Sequence, residues 1–289
     1  HVRTAVLVLG DQLTTQTTIF EQLNPETDVL VMIEAEEQSR KPWSHKARIA
    51  LFLSAMRHFA VKLLTNGWPL VFTPLDAPSH AGSLISEFTA VATRLQPKQL
   101  LATQPGCYAI KAQLESATAD LGMQLQWIQD STFLCTTEAF DTWADAHKSL
   151  RNESFYHEQR KAHRILLDQN DKPTGGKWNH DHSNRSHFGK AGPGTIPPPH
   201  AFPPDAITRQ VIDVVNKRFA DHSGTLQHFD WPVTAEDAFK ALTDFIDHRL
   251  HAFGEGFLPV KIFPVGGLVL LVSGKKVRDQ SVLVFGIDG

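Results

Sequence analysis

Cysteine is scarce: Cys107 and Cys135 are the only two in 289 residues. Two are too few for a disulfide framework, and their separation gives no close metal-ligand pair. No apolar run approaches the roughly 20 residues that a membrane-spanning helix needs. His1-Val2-Arg3-Thr4 leads straight into a strand-like stretch and lacks the form of a signal peptide. A cytoplasmic address without a membrane partner is therefore expected. A strong charge of one sign is also missing, and the formal net charge of −3 offers no general case for nucleic-acid binding. The hydrophobic fraction of 42% is ordinary for a globular chain, and the length suits one large domain or two small ones.

What is present begins with an alternation of short apolar runs and helical patterns. Strand-like runs lie at 5–9 (AVLVL), 28–33 (DVLVMI), 69–73 (PLVFT), 98–103 and 123–129. Between them, 46–66 reads as a long helix, with Ile49, Phe52, Leu53, Met56, Phe59, Ala60 and Leu63 at helical spacing and Gly67 as the stop. Shorter helices are expected over about 83–95 and 111–121. Runs this apolar belong to a parallel sheet covered on both faces. The expected fold is α/β, with a Rossmann-like five-stranded parallel sheet and helices on both faces. A long irregular linker and a truncated helical region follow. Ligands of such sheets bind beyond the carboxyl ends of the strands. Three loops fall there: Gly10-Asp11-Gln12, the stretch from Glu34 to Gln38, and Gln104-Pro105-Gly106. Taken singly, each loop serves equally well as a simple turn or a solvated connection.

Periodicity fades from 130 to about 205, where Gly, Pro, His, Asn and Arg take over. The stretch 191–204 (AGPGTIPPPHAFPP) is too proline-rich for regular structure. Between Lys148 and Lys190 the cations outnumber the acids, with histidines interspersed, which suits an anionic partner for that segment alone. Helical pattern returns at 205–219 and 234–253, the second opened by Thr234 as N-cap with Glu236 and Asp237 in the first turn. The last stretch, 256–289, is unlike anything before it.

Three stretches together carry a resemblance. They are Leu7-Val8-Leu9-Gly10-Asp11-Gln12-Leu13; then His45-Lys46 leading into Ala50-Leu51-Phe52-Leu53-Ser54-Ala55-Met56-Arg57-His58-Phe59; and Ser154-Phe155-Tyr156 with Arg160-Lys161, followed by Pro173-Thr174-Gly175-Gly176-Lys177-Trp178-Asn179-His180-Asp181 and Asn184-Arg185. From about Val6 to Gly254 the chain resembles the iron–sulfur bacterial branch of the photolyase/cryptochrome family, the deoxyribodipyrimidine photolyase-related proteins. The resemblance implies light-driven repair of pyrimidine lesions in DNA, of the 6-4 kind, by complete members. It implies an antenna-type α/β domain over 1–130 and an interdomain linker over 131–204. It also implies the start of a truncated helical domain over 205–254, with a tail unlike the family over 255–289.

By the same resemblance, an antenna chromophore, 6,7-dimethyl-8-ribityllumazine, would be held by Gly10, Asp11, Gln12, Glu34, Glu37, Gln38, Phe52 and Gly106. Gln38, with Glu34, Glu36 and Glu37 close by, stands where the family often has a glutamate; an amide and a carboxylate differ as partners for a ring N–H. DNA would be approached by Arg160, Lys161, Lys177, Trp178, Asn179 and Arg185, the cations for phosphate and Trp178 for stacking. A folding role for Trp178 and Asn179 carries equal weight. The family's FAD and 4Fe–4S cluster belong to a helical domain beyond Gly254, and neither is expected to bind here. The chain is therefore expected to lack repair activity alone, its tail being a frameshift or a replacement. Val211, Ile212, Val215 and Phe219, with Phe239, Leu242, Phe245, Ile246 and Leu250, are expected to leave apolar faces open to self-association. Rival readings are a non-catalytic flavin- or lumazine-binding module, a decayed gene product, and a metal-dependent hydrolase built on His157, His163, His180, Asp181, His182 and His187.

Overall fold

Five β-branched and aliphatic stretches form the strands β1 (Thr4–Val8), β2 (Asp28–Ile33), β3 (Leu70–Thr73), β4 (Gln99–Thr103) and β5 (Leu125–Ile128). All pair in parallel, in the order β3-β2-β1-β4-β5. In this computed structural model the described residues are 1–78, 80–174, 176–178 and 197–249, with the strand backbones at Lys261–Val265, Leu268–Val272 and Leu283–Gly286. Successive strand side chains point to opposite faces. Val6 and Val8 accordingly join Leu30, Met32 and Leu101 on one face, while Ala5, Leu7, Val31, Leu100 and Ala102 serve the other.

Each face has its own helices. After the short α1 (Glu37–Arg40), α2 (Lys46–Thr65) lays Met56, Phe59, Ala60 and Leu63 on the first face. Opposite, α3 (Leu84–Leu95) contributes Leu84, Phe88, Val91 and Ala92, and α4 (Tyr108–Asp120) contributes Leu114. The doubly covered parallel sheet expected from the apolar runs is what forms. Caps set the helix starts: His45 Nδ1 accepts from Ala47 N, and Ser83 Oγ from Ser86 N.

The chain divides into two compact units, one made of His1–Phe133 with Ala201–Thr234, the other of Leu134–His200 with Ala235–Gly289. The first unit includes α7 (Ala206–Arg218), N-capped by Asp205, whose carboxylate accepts from Thr208 N at 2.8 Å. Here the expectation of an open apolar face is corrected. Val211, Val215 and Phe219 are wholly buried against Ala47, Ile49, Ala50, Leu53 and Leu75, with Ile212 half-buried beside them. The outer face of α2 supplies the cover.

The second unit contains α5 (Thr137–Asp145), α6 (Asn152–Ala162) and α8 (Ala235–Asp244), which runs on into a π-helical turn at Phe245–Arg249. β6 (Lys261–Val265), β7 (Leu268–Val272) and β8 (Leu283–Gly286) form an antiparallel sheet in that order. Leu242 is buried, whereas Phe239 at 48% and Ile246 at 39% remain exposed; Leu250 lies outside the described residues. Among the described residues no helix is long and apolar enough to cross a membrane.

Candidate functional site

The strand order places a topological switch at β1. The chain moves outward through β2 and β3, then returns to the other side of β1 with β4, so the loops after β1 and β4 flank the position where ligands of such sheets bind. Gly10 opens the first loop. A Cβ there would stand 3.0 Å from Met56 Sδ, so glycine lets this loop lie close against α2. Gln12 spans the switch, its amide nitrogen donating to the carbonyls of Thr103 at 3.3 Å and Gln104 at 3.4 Å. Those two acceptors orient the amide, since the reverse orientation would set its oxygen against two carbonyls. The Gln12 Oε1 that results is buried and has no hydrogen-bond partner among the described residues.

Asp11, between them, keeps its side chain open to solvent. The protein mass around the sheet edge nevertheless desolvates its carboxylate and raises its pKa; its own backbone N–H opposes the rise, and the charge of Asp130 adds to it. Across the switch point, Gly106 has open space where a side chain would stand, followed by an α4 whose N-cap, Cys107, makes no side-chain cap. Gly10, Asp11, Gln12 and Gly106 therefore all lie on the two loops that flank the switch point.

Glu34 and Glu37 are used differently. Glu34 has no solvent exposure and forms a two-pronged ion pair with Arg57, at 2.8 and 2.9 Å, while accepting from Leu75 N at 2.7 Å. Burial works against the Arg57 guanidinium, but the bonds and charges of Glu34 and Asp76 more than offset it and raise its pKa. Glu37 accepts from Leu84 N at 2.9 Å and Ser83 Oγ at 3.3 Å, so its carboxylate serves the start of α3. Both carboxylates thus already have protein donors. Gln38 is exposed, and the Phe52 ring lies under the Arg48 guanidinium at 5.4 Å. Sequence reasoning missed Arg57, Asp76 and Asp130. Arg57 lay within the matched helical stretch, but only the fold shows that it meets the end of β2.

The second unit holds the residues expected to approach DNA. Arg160 is 5% exposed, and its guanidinium donates to the carbonyls of Ile165 at 3.1 Å, Leu166 at 2.5 Å and Trp178 at 3.3 Å. It clamps the loop that follows α6, in place of standing free for a phosphate. That loop contains three non-glycine residues with positive φ, Arg164, Leu166 and Asp171. The N–H groups of Lys172 and Asn170 hold the Asp168 carboxyl below its usual range. Trp178 is half-buried beside His157 at 4.6 Å, with the Lys161 ammonium 5.5 Å from its ring centre. Lys161 and Lys177 are exposed. Asn179, Arg185, His180, Asp181, His182 and His187 lie outside the described residues; among the described residues no cluster of three metal-ligating side chains occurs.

Comparison with known proteins adds two findings. Residues 6–231 match the model of the family described as deoxyribodipyrimidine photo-lyase-related protein. A (6-4) photolyase from Agrobacterium fabrum is 36% identical over 250 residues, which is 86% of this chain and 48% of the relative. The chain spans about half the length of the curated relative it matches.

Proposed function

Because the chain belongs to the deoxyribodipyrimidine photo-lyase-related proteins, we propose that it serves light-driven DNA repair by holding an antenna chromophore at the switch point of its first unit. The observation that carries this reading is the buried, unpartnered Gln12 Oε1 beside Asp11. A buried acceptor left without a donor costs on the order of 1–3 kcal/mol, and a ligand N–H or O–H at that place would remove the penalty. A ribityllumazine offers both kinds of donor. Gln12 would accept from it, Asp11 would accept a second bond at the solvent side, and Gly106 would leave room for a flat ring between the loops. Such a chromophore supplies light absorption; the residues named here bind and orient it.

In the second unit, Lys161, Lys177 and Trp178 are the groups proposed to meet DNA, with Arg160 holding their loop in shape. Asn179 and Arg185 extend the same proposal along the sequence. Titration with 6,7-dimethyl-8-ribityllumazine, followed by absorbance and fluorescence, tests the antenna assignment. Asp11→Ala is expected to abolish binding, and an unchanged affinity would remove the first loop from the site.

A further inference from the structure

We infer a nucleic-acid contact on the first unit, in which Trp43 stacks an unpaired base of a single strand while Lys41, Lys46 and Arg48 meet its phosphates. It goes beyond the proposed function and uses none of the residues assigned there.

Trp43 lies between α1 and α2. Its indole is stacked on the imidazole of His222, with ring centres 3.7 Å apart and planes 15° from parallel. His222 is 4% exposed; its Nδ1 donates to the Ser44 carbonyl at 2.7 Å, and Phe219 meets it edge-on at 5.0 Å. The loop that carries His222 is pinned to the start of α2. Lys46 N donates to the Ser223 carbonyl at 3.0 Å, and the His45 ring fills the space where a side chain at Gly224 would stand. The indole supported in this way is nevertheless 55% exposed. His222 Nε2 is buried and has no hydrogen-bond partner among the described residues. An aliphatic residue would fill that place without leaving a nitrogen unsatisfied, but it would offer no flat face. The imidazole contributes a rigid backing for an indole whose other face is open. A large aromatic ring held flat is a stacking surface, and every nucleobase has a face to lay on it.

Charge selects the nucleotide among flat ligands. No Asp or Glu occurs between Glu37 and Asp76. The acids that approach from outside that stretch are already engaged, Glu36 by Arg40 at 2.7 Å and Arg218 at 3.2 Å, and Asp221 by Arg40 at 3.3 Å. Lys41, two residues from the ring, is exposed. Lys46 Nζ donates to the Ala220 carbonyl at 3.3 Å, a neutral acceptor that leaves its charge uncompensated. Arg48 is exposed, with only the Phe52 ring beneath it. Cations beside an open aromatic ring supply both halves of a sequence-tolerant single-strand site, charge for the backbone and a π-face for the base. A duplex keeps its bases stacked on one another and offers the ring nothing.

The test uses a short oligothymidine carrying one 5-iodouracil, irradiated with the protein, and mass spectrometry of the cross-linked peptides. A cross-link at Trp43 is expected. Cross-linking confined to Trp178 overturns the inference and leaves the DNA reading of the second unit standing. Anisotropy titrations then use chains carrying Lys161→Gln and Lys177→Gln, so that the cations of the second unit are gone. In that background Trp43→Ala should weaken oligothymidine about tenfold and leave an abasic strand of the same length unchanged. Lys41→Gln, an exposed change that leaves the stack intact, should lower the slope of log K against log salt by about 0.7. Equal weakening of both strands, or an unchanged slope, overturns the assignment. Loss of 6,7-dimethyl-8-ribityllumazine binding in Trp43→Ala would assign the ring to the chromophore and overturn it as well.

Discussion

Asp28 sits at the first position of β2 with its carboxylate buried, bonded to Arg3 Nε at 2.8 Å and to Asn24 N at 2.9 Å. Burial alone would raise its pKa, but the bonds from Arg3, Asn24 and Thr4 outweigh it and bring it to about 2. The folded value lies below the unfolded value of about 3.9. Its contribution to stability is therefore complete above about pH 4 and lost as the pH falls through about 2. Urea midpoints measured from pH 7 to pH 2 should show wild type above Asp28→Asn at neutral pH, with the two curves converging between pH 4 and 2. A constant offset would refute this account. At the same scale, single residues show what sequence could and could not convey. Asp11 was legible as a candidate because it follows a strand and a glycine. Glu34 and Arg160 looked equally available, yet their charges are consumed by Arg57 and by three loop carbonyls, partners 23 and 5 to 18 residues away in sequence. Pairings over such distances leave no mark in local pattern.

Among the elements, α7 makes the clearest energetic claim. Phe219, at the end of that helix, is fully buried against the outer face of α2 and has the Arg40 guanidinium 5.3 Å from its ring centre. Phe219→Ala is expected to cost about 3–5 kcal/mol in urea unfolding of the first unit. A loss below about 1 kcal/mol would show that the helix is not anchored there. The five strands and the helices α2, α3, α4 and α7 were legible because their apolar spacing is regular, and each lies within three residues of where that spacing put it. The short α1 and α5, by contrast, fall in polar stretches. The nine residues of α5 bury only Trp143, which packs with Phe140 and Phe155, so no stripe announces the helix. The destination of the α7 apolar face was also illegible. Periodicity shows that a face will be covered, and only the fold shows that α2 covers it.

For the whole molecule, the telling feature is that the first unit is discontinuous in sequence: the chain leaves it at Phe133 and re-enters at Ala201. A specific-protease site inserted between Asn170 and Asp171, both exposed, should yield two fragments that still co-elute after cutting. Val211, Val215 and Phe219 would hold 201–234 to the outer face of α2 with roughly 1.5–3 kcal/mol of apolar burial each, joined by the Arg40 bond to the Arg218 carbonyl. Separation of the fragments without denaturant would show that this packing does not hold the first unit together. The same discontinuity sets a timetable on the ribosome. The five strands emerge by residue 128, yet Ala47, Ile49, Ala50 and Leu53 on α2 must wait for their cover until residues beyond 218 have been made. At about 5–20 residues per second that wait lasts roughly 5–20 s. For those seconds the nascent sheet carries an uncovered apolar flank, the kind of surface that a chaperone waiting near the exit tunnel binds.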